Sequence, residues 1–103
     1  MADVVWAKTD DVTIGAGTAE LALLVESLNA MQPCFLGPKG GGRSTGHLLV
    51  ELKDRGDLRF KVFEPPDMPD KVILRFQAAL SVSELCGPRT QFLRAIERSK
   101  SGD

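Results

Sequence analysis

Between Leu48 and Phe63 apolar and polar positions alternate along the chain. Leu48, Val50 and Leu52 interleave with Leu49, Glu51 and Lys53, and Leu58, Phe60 and Val62 interleave with Arg59, Lys61 and Phe63. A period of two sends successive side chains to opposite faces of a strand. Asp54-Arg55-Gly56-Asp57, between the runs, is turn chemistry. The stretch therefore predicts a β-hairpin. Lys71–Phe76 repeats the pattern, with Val72, Leu74 and Phe76 against Lys71 and Arg75, and predicts a third meander strand. The connection Glu64–Asp70 holds three prolines and reads as a loop.

The period changes elsewhere. Leu21, Leu24, Val25, Leu28 and Met31 share one helical face and predict a helix over Thr18–Met31, with Thr18 as its N-cap, Glu20 at the positive end of its dipole and Pro33 ending the pattern. Asp3–Lys8, rich in β-branched and aromatic residues, predicts a strand. Thr9–Gly17 is a connection in which Val12–Ile14 can extend a strand. Gln77–Cys86 leans helical. Pro88 can open a further helix over Pro88–Lys100. The sum is one α+β domain over residues 1–103, an antiparallel meander sheet packed by one long amphipathic helix and C-terminal helices.

Composition narrows the function classes. A chain of 103 residues, 43% hydrophobic and 26% charged, supports one modest globular core. No apolar run approaches the roughly 20 residues of a membrane helix. MADVVWAKTDD lacks the basic start and apolar stretch of a signal peptide, so a cytoplasmic location is expected. In that setting Cys34 and Cys86 read as buried reduced thiols. With His47 as the single histidine, no ligand spacing points to a metal, and no cofactor is expected. Charge is uneven: residues 1–32 carry one base and five acids, and residues 33–103 carry twelve bases and nine acids.

Gly37–Gly46, GPKGGGRSTG, approximates a phosphate-binding loop, with Arg43 where the motif needs Lys. The alternating residues after it predict a strand where the motif needs a helix. It reads as a flexible or anion-tolerant loop, with no nucleotide cofactor. His47 beside it is a candidate proton-transfer group or an ordinary strand-edge histidine. Lys53, Arg59, Lys61 and Arg75 all leave the apolar face by alternation, and predict a basic strip suited to phosphates or an acidic partner. Trp6 is the single tryptophan, expected in the core or at a sheet edge, and the absence of tyrosine argues against a base-stacking platform.

From about Ala19 to Phe76 the layout resembles the RelE/HigB group of toxins. The segments that carry the likeness are LVESLNAMQ, Leu36-Gly37-Pro38-Lys39, Gly46, LLVELK, RGDLRF and KVILRF, with PRTQFLRA keeping the spacing of the family's late proline and last helix. The resemblance implies an endoribonuclease acting on mRNA, on or off the ribosome, and an antitoxin partner. It puts Lys53 and Arg59 in the places of family arginines that contact RNA phosphates. Arg75 would join them, and Lys61 or His47 would move protons. The chain departs from the family in QAALSVSELC after the last strand and in lacking the late Tyr or His. The second reading is a non-catalytic protein-binding module of the inhibitor, immunity or adaptor kind, without contact to a membrane.

Overall fold

The computed structural model describes residues 4–34, 44–54, 56–78 and 81–101. Seven strands and two helices follow in the order β1 (Val4–Thr9), β2 (Thr13–Ile14), α1 (Ala19–Asn29), β3 (Gln32–Cys34), β4 (Ser44–Leu52), β5 (Gly56–Phe63), β6 (Lys71–Ala78), β7 (Ser81–Pro88) and α2 (Arg89–Ser101). The strands form one sheet in the order β2-β1-β4-β5-β6-β7-β3, every pair antiparallel. The domain is α+β, with its sheet built on the expected meander.

The hairpin forms where alternation places it. Leu52 pairs with Gly56 across a tight turn. Asp54 (φ 63°) and Gly56 (φ 78°) take the left-handed conformations that Asp and Gly accept at least cost. Thr18 caps α1, its hydroxyl accepting from the Leu21 N–H at 3.1 Å. α1 leaves β2 at one edge of the sheet and delivers the chain to β3 at the other, so it crosses one face. α2 packs beside it. Leu21, Leu24, Leu28, Phe92 and Ala95 of the helices meet Ala7, Ile14, Leu48, Val50, Phe60, Val62, Val72 and Leu74 of the sheet in one core.

Four expectations change. Gln77–Cys86, which leans helical, is largely strand β7: Leu85 packs toward the core while Glu84 and Cys86 face away. Its small polar residues fit either period, and pairing with β6 decides. Among the described residues a single C-terminal helix, α2, stands in place of the expected plural. Gln32–Cys34 is a strand despite Pro33, tolerated because β3 is an edge strand. Cys34 and Cys86 are not reduced thiols but a disulfide, with Cα atoms 5.9 Å apart. Of the Gly37–Gly46 loop, residues 37–43 lie outside the described residues; Ser44 opens β4, a strand where a phosphate loop would open a helix.

Two residues on the core side give stability predictions. A Cβ on Gly87 would lie 2.5 Å from Met31 Cγ and 3.4 Å from Met31 Cα. Met31 is buried and anchors the chain between α1 and β3. Gly87→Ala must displace it, and is expected to cost about 2 kcal/mol by overpacking, read by urea unfolding. Ser27 is fully buried, and its hydroxyl has no hydrogen-bond partner among the described residues. Ser27→Ala removes that uncompensated group and is expected to raise stability by about 1 kcal/mol in the same assay.

Candidate functional site

Both helices cover one face of the sheet. The other face carries the residues that alternation turns away from the core, and it divides in two. On the β6–β7 side it closes on itself. Phe63 and Ile73 are buried there, outside the main core cluster. Arg75 lies over the Phe63 ring at 4.4 Å and donates from Nε (3.2 Å) and Nη2 (2.9 Å) to one oxygen of Glu84. The Glu84 side chain is 7% exposed and that of Arg75 26%. A carboxylate this buried needs a partner, and Arg75 supplies it. The arginine is therefore already matched in charge by the fold.

The β1–β4–β5 side is open. Trp6 stands opposite Glu51 on β4, Lys8 opposite Leu49, and Arg59 opposite Leu49 from β5. Leu49 thus has a base on each side, with the Cα atoms of Lys8 and Arg59 about 10 Å apart at the usual strand spacing. Trp6 and Leu49 are half-buried and belong to no core cluster. Lys8, Thr9, Asp10, His47, Leu48, Leu49, Arg59 and Phe60 line a shallow depression of about 310 Å³.

Local sequence explains how Asp10 reaches this place. The Thr9 hydroxyl accepts from the N–H groups of Asp11 and Val12, both at 3.2 Å, and folds the chain into a turn after β1. Asp10 then meets β4: its Oδ2 accepts from the His47 backbone N–H at 3.1 Å and lies 3.4 Å from His47 Nδ1. Gly46 allows the approach, since a Cβ there would sit 3.2 Å from the same oxygen. The carboxylate lies beside Nδ1 of the imidazole, on the side of the ring away from Nε2. Both side chains are more than half exposed, so the pair adds little to stability.

The sequence-derived site residues meet different fates. His47, Lys61 and Arg75 lie side by side in one row across β4, β5 and β6, and Arg59 is in the next row. Arg59 is 78% exposed, with only a loose contact to Asp57 at 3.8 Å. Arg75 is on the strip but engaged by Glu84. Lys53 stands apart, in the turn beyond β4, about 20 Å along the strand from His47. Lys8 and Asp10 are additions that sequence reasoning missed. They join the site through the pairing of β1 with β4, about forty residues away in sequence, which no local pattern announces.

Among the described residues no group of His, Cys, Asp and Glu side chains could hold a metal ion, and no described helix is long and apolar enough to cross a membrane. Comparison with protein-family models, with curated proteins and with solved structures finds no match for this chain, so a functional reading has to stand on the geometry of the open face itself.

Proposed function

We propose that this chain is a non-catalytic binding module whose open half-face receives a protein partner bearing carboxylates. The observation that supports it is Leu49, half-buried and outside the core, set between Lys8 and Arg59 with Trp6 as its diagonal neighbour. An apolar centre with a charged rim is the anatomy of a protein interface, and Trp and Arg are its usual anchors. Among the described residues no ion pair engages Lys8 or Lys61. Two cations flanking one apolar contact suit an acidic side chain beside an apolar one. The depression is open to water, which suits recognition better than chemistry that needs a dry site.

Wild type and Leu49→Arg, immobilised in parallel and cross-linked to their native extract, test the reading. A partner held by wild type should be lost with Leu49→Arg and weakened at least tenfold by Arg59→Glu, with Tm unchanged in both. A partner held equally by all three would place the interface elsewhere.

The Asp10–His47 pair favours a second reading, a RelE/HigB-like endoribonuclease acting on mRNA, with an antitoxin as partner. In this reading His47 Nε2 takes the proton of a ribose 2′ hydroxyl as that oxygen attacks the adjacent phosphorus. The 5′ oxygen leaves and takes a proton from water, and Lys8, Arg59 and Lys61 hold the phosphate. Growth and message integrity after induction, beside His47→Ala and Arg59→Glu, separate the two readings. Cut messages that become intact with either substitution support the nuclease; intact messages with wild type support the binding module. A cytoplasmic home goes with both readings. It would keep ordinary thiols reduced, so there the Cys34–Cys86 bond would be one that opens and closes.

A further inference from the structure

We infer that the Cys34–Cys86 bridge is a redox latch that controls the charge of the open face through Arg75. Strand pairing sets His47, Lys61, Arg75, Glu84 and Cys34 in one row across five neighbouring strands, β4, β5, β6, β7 and β3, on the face away from the helices. Glu84, the acid that occupies Arg75, therefore has Arg75 on one side and β3 on the other. It is nearly fully buried with β3 paired alongside it.

β3 itself is weakly held. It is three residues long, lies at the sheet edge, pairs only with β7, and contains Pro33, which has no N–H to give the ladder. No residue of β3 belongs to the core cluster; the nearest that does is Met31, before the strand. Edge segments with few buried contacts open at low free energy while the rest of a domain stays folded. The bridge, from Cys34 to Cys86 on the partner strand and diagonal to the Cys34–Glu84 pair, is what fastens this one. Both cysteines are half-buried, and neither belongs to the core cluster.

The step is an ordinary exchange with a dithiol reductant. Its two thiols supply two electrons and two protons and become its own disulfide, while the Sγ–Sγ bond of the bridge breaks to two thiols. β3 then leaves β7. Water reaches Glu84, the pair with Arg75 weakens as its surroundings become more polar, and the Arg75 guanidinium joins Lys61, its cross-strand neighbour, on the strip. Oxidation restores the lock. The chemistry involves only the bridge and Arg75, so it stands or falls separately from the identity of any partner.

The test is the intact protein with and without dithiothreitol, its thiol state verified by alkylation. Modification of each arginine by phenylglyoxal is followed by mass spectrometry, and backbone amide exchange is followed in parallel. On reduction, Arg75 should react at least fivefold faster while the already exposed Arg59 does not change. The Cys34 amide should exchange at least tenfold faster while β4 and β5 keep their protection. A Cys34→Ser, Cys86→Ser variant should match the reduced protein. Arg75 reactivity unchanged with both thiols free would overturn the inference, as would a bridge that opens only when β4 and β5 lose protection together with β3.

Discussion

Replacing Cys34 and Cys86 together by serine will lower the free energy of unfolding by about 4 kcal/mol, because the bridge spans 52 residues and removes the closure entropy of that loop from the unfolded chain. β4, β5 and β6 all lie inside the loop, so the constraint acts on the hairpins that build most of the sheet. For a domain of this size the loss corresponds to a fall in Tm of roughly 20 °C. The size is large against the usual 5–15 kcal/mol of a small domain, yet it acts chiefly on the unfolded state. The native core uses no residue of β3 and should keep its structure, which is the condition the redox latch needs. Urea denaturation of the wild type with and without reductant, beside the double serine variant, measures the effect. A loss under 1 kcal/mol would mean that the bridge constrains little and that β3 is held by other means.

The same bridge marks the limit of what the sequence reveals. β4, β5 and β6 were legible because their alternation is strict and Asp54-Arg55-Gly56-Asp57 can make one kind of connection. α1 was legible from its stripe and from Thr18. In each case the information lies within about fifteen residues. β3 and β7 were not legible: β3 is a strand only by virtue of β7, about fifty residues further on, and β7 pairs with β6 just before it, but its small polar residues suit a helix as well as a strand. Pro33 argues against a strand until the edge position is known, and Ser83-Glu84-Leu85 fits a helix until β6 is alongside. Two cysteines 52 residues apart carry no sign of their pairing.

The site divides along the same line. Arg59 and Lys61 were visible as residues that alternation turns outward, and His47 as a titratable residue beside the glycine-rich loop. That Arg75, equally outward, is engaged by Glu84 depends on the β6–β7 register. That Lys8 and Asp10 complete the depression depends on β1 joining β4. Sequence gives the face of each side chain; only the strand order gives its neighbours, and the neighbours determine whether a cation is free to bind.

Phe92→Ala will cost about 3–5 kcal/mol, the usual range for deleting a fully buried aromatic side chain. Phe92 is 1% exposed and is the largest fully buried side chain among the described residues. Among the described residues of α2 only Ala95 is buried as completely; Leu93 and Ile96 reach the core in part. α2 is therefore held to α1 and the sheet through one large side chain and its flank, and the loss should be local as well as global. Amides of α2 should lose protection before those of β4–β6, because the meander keeps its own buried face of Leu48, Val50, Phe60, Val62, Val72 and Leu74. The face that carries Arg75 is on the opposite side of the sheet, so Phe92→Ala should reduce stability while leaving phenylglyoxal reactivity at Arg75 at its wild-type rate in the oxidised protein. Phe92→Leu, which refills most of the volume, should recover more than half of the loss. A cost below 1.5 kcal/mol in urea unfolding, or loss of protection in α2 and the meander at the same rate, would show that α2 is not anchored through Phe92.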